Sequence, residues 1–316
     1  MQKLFESWRR FVEKETKDLP QGPPVGQEQL KIKPKKIKKF RYRGNQFGYV
    51  LGTVEGEIIA THNPTKTFYG ASNNKPLLAL ANLILCKQDP RGSKSCLSDK
   101  ELGALLNYKR TGDIESNNVN KALSKKSASK KTYVGRRKEE LASFEGMDQK
   151  EMNQKAAKFL EKLGLRPELL PGIRYGMANN RQTPLGYYHF LRLLINPSEF
   201  PGMQGHEKEA EIILSWMRRD YGVHDRDREF LGRFKKHQEY LNKKGIDIGS
   251  IYGKGGYVGT IGDTPIHDAA NNSAIVIDNK YILIVFTNAI FNRYKSSAIK
   301  ALHDMIYQIL SNSGVY

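Results

Sequence analysis

The chain has little cysteine, no metal-binding cysteine motif and no long apolar run. Its two cysteines, Cys86 and Cys96, are joined by neither a CxxC nor a CxxH spacing, which removes the usual signature of structural zinc. With Pro90 and Gly92 between them, they can close a small loop in an oxidising compartment or stay separate thiols. No run of about 18 apolar residues occurs, so no transmembrane helix is expected. The opening MQKLFESWRRFVEKE is amphipathic and lacks the continuous apolar core of a secretory signal. His62, His189, His206, His224, His237, His267 and His303 show no ligand spacing and read as structural or exposed. No metal and no cofactor are expected. Acidic residues are the minority, 33 against 52 Lys and Arg, which leaves a net charge of +19. Such a surplus implies attraction to a polyanion, whether nucleic acid, an anionic lipid surface or an acidic wall polymer.

What is present divides the chain into three parts. Residues 1–17 form an amphipathic helix, with Leu4, Phe5, Trp8, Phe11 and Val12 at helical spacing. Residues 18–45 are a Pro/Gly linker followed by a basic arm, KIKPKKIKKFRYR at 31–43, in which Pro34 prevents a regular helix. The arm is a candidate contact for an anionic polymer, or a solubilising tail. Residues 46–316 form the folded domain. It opens on a β-hairpin, FGYVLGTV and EIIATH around Glu55-Gly56, and Asn63-Pro64 ends the second strand. KPLLALANLILC then reads as a buried helix, apolar on nearly every face. Residues of about 97–240 have helical periodicity, with Ser98 and Glu101 in capping positions and Thr183-Pro184 opening a helix. Strands return in IYGKGGYVGTIG, NNSAIVID and KYILIVFTN, the last two joined at Asp278-Asn279, and SSAIKALHDMIYQIL closes the chain as a helix. Strands from both ends with helices between predict an α+β fold, with one antiparallel sheet covered by helices and a largely helical subdomain inserted.

Three short motifs carry candidate chemistry. Ser72-Asn73-Asn74-Lys75 stands where a loop enters the buried helix, and its spacing puts the Lys75 amine within reach of the Ser72 hydroxyl. A serine attacks only when a neighbouring base takes its proton, and an amine is such a base only where burial or nearby positive charge favours its neutral form. Ser116-Asn117-Asn118 follows a loop in the helical region; it can relay a proton and hold an amide, or simply cap a helix. Lys254-Gly255-Gly256 lies on the first C-terminal strand, where the glycines let a substrate backbone come close and the lysine offers charge to a carboxylate. Each motif alone is common in a lysine-rich chain.

Their order and contexts together resemble the penicillin-recognising serine hydrolases, the superfamily of DD-peptidases, penicillin-binding proteins and class A β-lactamases. Ala71-Ser72-Asn73-Asn74-Lys75-Pro76 looks like the nucleophile box. EIIATHNPTKTFYGAS resembles the second strand and the approach to the serine. TPLGYYHFLRLLI, IILSWM and AIVIDNKYILIVFTN resemble later helices and closing strands. The resemblance implies a five-stranded antiparallel sheet, with Ser72 as nucleophile and Lys75 as general base. Ser116 and Lys254 would complete the proton path, and Asn118, Gly255 and Gly256 would bind substrate. The backbone N–H groups of Ser72 and Tyr257 would form the oxyanion hole. It further implies a peptidoglycan stem peptide ending in D-Ala-D-Ala, or a β-lactam, as partner, with no cofactor.

Two departures bear on activity. Class A β-lactamases carry a glutamate that activates the deacylating water, where this chain reads Arg166-Pro167-Glu168-Leu169-Leu170; this argues for a carboxypeptidase or transpeptidase rather than a β-lactamase. Gly255 replaces a hydroxyl residue that helps bind the substrate carboxylate. The alternative is a catalytically inactive structural or virion protein with this fold that binds nucleic acid or an anionic surface. A wall enzyme without a recognisable signal must reach the envelope by another route, and the N-terminus resembles those of phage-encoded proteins, which suggests a virion.

Overall fold

The computed structural model describes residues 47–87, 102–103, 106, 162–165, 181–218, 233–258, 270–287 and 295–316. The N-terminal hairpin forms where the sequence predicts it: β1 (Phe47–Thr53) pairs antiparallel with β2 (Ile58–His62), and the register shifts at Leu51/Gly52. Gly52 has no room for a side chain, since a Cβ there would lie 2.5 Å from the Glu57 carbonyl oxygen. The C-terminal strands are β5 (Ile251–Val258), β6 (Ala270–Ile277) and β7 (Tyr281–Thr287). At the β6–β7 turn, Asp278 and Asn279 both have φ of 51°, a left-handed pair that the Lys280 N–H closes by donating to the Ile277 carbonyl at 3.0 Å.

The two ends of the chain meet in one sheet, β2-β1-β7-β6-β5, all antiparallel. β1 pairs with β7 along its whole length, from Phe47↔Thr287 to Thr53↔Tyr281. This is the α+β architecture that the sequence predicts. β7 and the Ala274–Ile277 half of β6 are nearly continuous apolar runs because helices cover both sheet faces. On one face Val50, Ala274, Val276, Ile284 and Phe286 meet α1 (Asn74–Lys87), α2 (Pro184–Ile195) and α3 (Glu207–Arg218). On the other, Tyr49, Leu51, Ile275, Leu283 and Val285 meet α4 (Arg233–Lys243) and α5 (Lys295–Ser313).

α2 opens at Thr183-Pro184 as read from sequence, with Thr183 Oγ1 accepting from the Gly186 N–H at 3.0 Å. The helix is tied to the β1–β2 turn. Arg192 donates to the carbonyls of Val54 and Glu55 and pairs with Glu199, and the Tyr188 hydroxyl donates to the Thr53 carbonyl at 2.7 Å. A two-residue ladder of β3 (Phe68–Tyr69) with β4 (Arg181–Gln182) is additional to the sequence reading. The basic arm, Cys96, Ser116, Asn118, Arg166 and most of the 97–180 segment lie outside the described residues. No described helix is long and apolar enough to cross a membrane.

Candidate active site

β3 leads the chain to Gly70, and a single 3-10 turn, Ala71–Asn73, precedes α1. Ser72 therefore stands in the tight turn ahead of the helix, and Lys75 in the first turn of α1. The turn is closed by the Asn73 N–H on the Gly70 carbonyl at 3.0 Å. Ala71 has φ of 48°, a left-handed backbone that costs a residue with a Cβ about 1–2 kcal/mol. That strain adjoins Ser72, and surrounding contacts hold it in place.

Those contacts come mainly from β5. The Asn73 side-chain amide donates to the Lys254 carbonyl at 2.9 Å, which fastens the Ser72 turn to the strand of the third motif. A Cβ on Gly256 would fall 2.2 Å from Asn73 Oδ1 and 2.6 Å from the Gly70 carbonyl oxygen. What crowds Gly256 is thus the protein's own turn. Lys254 is fully buried, and its Nζ donates to the Gly255 carbonyl at 3.1 Å. Ser72 and Lys75 are each 1% exposed, and Asn73 and Asn74 are equally enclosed. Polar groups so far from water are costly unless they are paired, and Asn73 Nδ2, Asn74 Oδ1 and Lys254 Nζ each have a partner here.

Two further amides brace the turn. Asn74 Oδ1 accepts from Gln182 Nε2 at 3.3 Å, and Gln182 sits on β4, beside β3. Asn272 of β6 donates through Nδ2 to the Tyr69 carbonyl at 2.8 Å and accepts the Thr287 N–H at 2.9 Å. Lower on β5, burial pushes the Tyr252 phenol above its ordinary pKa while Arg218 partly opposes the shift. No group of three His, Cys, Asp or Glu among the described residues could hold a metal ion.

The geometry therefore docks the Ala71–Asn73 turn that holds Ser72 on Lys254 and Gly256 of β5, with Lys75 in the adjoining first turn of α1, Gly255 between the two docked residues and Tyr257 one residue further along β5. Ser116 and Asn118 lie outside the described residues. Sequence reasoning missed Asn73, Asn272 and Gln182 as the groups that join these elements. A signal was present: asparagine is depleted in strands, yet Asn271-Asn272 opens an otherwise apolar one.

No protein-family model and no curated protein matches the sequence. Among solved structures, the chain is similar to a class A β-lactamase from Bacteroides cellulosilyticus, at 16% identity over 85% of this chain and 92% of that one, with a TM-score of 0.48. It is similar to the TLA-3 extended-spectrum β-lactamase at 16% identity, over 96% and 99% of the two chains, with a TM-score of 0.46. A third is the class A β-lactamase of the last common ancestor of Gram-negative bacteria, at 15% identity over 84% and 93%, with a TM-score of 0.45. At such distances the chemistry has to be read from the site itself.

Proposed function

We propose that the chain is a β-lactamase-fold serine acyl-hydrolase of the DD-peptidase type, acting on D-alanyl peptides through an acyl-enzyme. The observation that carries this reading is the docking of the Ala71–Asn73 turn, which holds Ser72 just ahead of Lys75, on the strand of Lys254 and Gly256, joined by the bond from Asn73 to the Lys254 carbonyl. A serine, two buried lysines and an edge strand are the parts that acyl transfer needs. In this reading Ser72 Oγ attacks the peptide carbonyl carbon while its proton passes to Lys75. The carbonyl oxygen becomes an oxyanion held by the Ser72 and Tyr257 N–H groups; such donors contribute about 3 kcal/mol each. Collapse breaks the C–N bond, and the leaving amine takes a proton relayed through Ser116 with help from Lys254. Water or an acceptor amine then releases the acyl group. A peptide substrate would lie along β5, the last strand of the sheet among the described residues, and pair with it as an extended chain.

The direct test is covalent labelling with a fluorescent penicillin. A stable adduct that maps to Ser72 and vanishes in Ser72→Ala is the expected outcome; no labelling by several β-lactams would refute the penicillin-binding reading. The net charge of +19 favours a second reading, a structural module that binds a polyanion. Binding to DNA that weakens steeply with salt, in a chain no penicillin labels, would support that one instead.

A further inference from the structure

We infer that Asn272 is a positioning residue for Ser72, acting by holding the chain that leads into the Ser72 turn. This rests on the acyl-serine reading above and extends it to a residue outside the three motifs.

The sheet opens at one end, between β6 and β7. β6 and β7 pair from Ile277↔Tyr281 to Ser273↔Val285, and there their ladder stops. β7 continues to pair with β1 as far as Thr287↔Phe47, and β6 continues to pair with β5 as far as Ala270↔Val258. The two central strands therefore part beyond Ser273. Side chains bridge the opening: the Thr287 N–H donates to Asn272 Oδ1 at 2.9 Å, and Thr287 Oγ1 exchanges bonds with the Asn271 backbone at 3.0 and 3.2 Å.

β3 docks at this opening, against β7. Asn272 is fully buried and lies opposite Gly256, on the sheet face that carries Ala274 and Val276 and meets α1. Its Nδ2 donates at 2.8 Å to the carbonyl of Tyr69, a residue 203 positions away in sequence. One amide thus joins β6, β7 and β3. The next carbonyl, that of Gly70, closes the 71–73 turn and backs onto Gly256. Fixing the Tyr69–Gly70 peptide fixes the entry to the strained Ala71, and through it where Ser72 stands relative to Lys254. An amide is suited to this place because it donates to one segment and accepts from another; a carboxylate can only accept.

The experiment compares the full chain with Asn272→Asp and Asn272→Ala across pH. The probes are a fluorescent penicillin and, independently of substrate class, a fluorophosphonate that labels activated serines. Thermal unfolding establishes that each variant is folded. Asn272→Ala should label roughly 10- to 100-fold more slowly at all pH values, the scale of loss that follows from small misplacement of a reacting group. Asn272→Asp should be equally slow at neutral pH. Its rate relative to the unmutated chain should recover on acidification, because the protonated carboxyl can again donate to the Tyr69 carbonyl.

Recovery of that ratio in Asn272→Asp alone is a result that mere loss of stability does not give. Unchanged labelling in folded Asn272→Ala would overturn the inference, as would a deficit in Asn272→Asp that does not change with pH. If the unmutated chain takes the fluorophosphonate but no penicillin, the substrate reading fails and the variants still decide the role of Asn272. If it takes neither, both fail.

Discussion

Gly256 is where single-residue sterics bear most directly on the site. A methyl group there would press on both Asn73 Oδ1 and the Gly70 carbonyl oxygen, and the latter belongs to a turn that already carries the left-handed Ala71. The backbone cannot move aside as a flexible side chain can. Gly256→Ala should therefore shift the Ser72 turn away from β5, costing about 1–3 kcal/mol of stability by overpacking. Penicillin labelling should fall by about 100-fold. Chemical denaturation and labelling rates on the same preparation check this, and a variant with normal values for both would show that the turn yields freely. Gly245 makes the contrast, since a Cβ there meets nothing within 4 Å. Its φ of +86° would be the whole obstacle.

At the scale of elements, the side chains of the β6–β7 turn tie the hairpin to its neighbours. Asp278 Oδ1 accepts the Ser250 N–H at 2.7 Å, and Oδ2 accepts the hydroxyl of Tyr316 at 2.6 Å, close to the end of α5. Asn279 Oδ1 accepts the Tyr252 hydroxyl at 3.0 Å. The turn therefore also anchors the start of β5 and the last residue of the chain. Asp278→Ala should cost about 1–3 kcal/mol, from the two lost charge-assisted bonds and an alanine left in the left-handed region. Equilibrium unfolding measures it. A loss shared by Tyr316→Phe would identify the tyrosine bond as the larger part. No loss in either would mean that solvent replaces both bonds.

At the scale of the whole molecule, burial of tyrosine sets the response to alkali. Burial pushes the phenols of Tyr49, Tyr188 and Tyr252 above their ordinary pKa, and burial together with the hydrogen bond to Asp304 takes Tyr240 up to about 12. The folded chain then holds these protons more tightly than the unfolded chain, whose phenols titrate near about 10. Their contribution to stability is complete below that pH and is lost as pH rises through the folded values. The denaturation midpoint should show no phenol-linked change up to about pH 10 and decline above it. Ultraviolet titration should find that part of the 16 tyrosines ionise only as the chain unfolds. Ionisation of all of them in one step with the fold intact would contradict the burial.

Much of this architecture was legible in the sequence because it follows from local patterns. The turns at Glu55-Gly56 and Asp278-Asn279 marked the hairpins, an all-round apolar stretch marked α1, and Thr183-Pro184 marked the start of α2. The SxxK and KGG elements were visible as residue types at a spacing, which is also a local property. Contacts between distant segments were not legible. The sequence placed Ser72 at the head of a helix; only the folded chain shows it in a separate turn behind a left-handed alanine. Gly256 was read as a glycine for close approach of a substrate backbone; only the fold shows that the place of its missing Cβ is filled by the Ser72 turn. Asn272 meets Tyr69 across 203 residues because β6 and β7 part beyond Ser273 and leave a gap for an amide to span. Periodicity and capping are properties of a few consecutive residues, so composition and order determine them. The partner of a buried amide depends on how strands from opposite ends of the chain come to lie, and only the tertiary structure decides that.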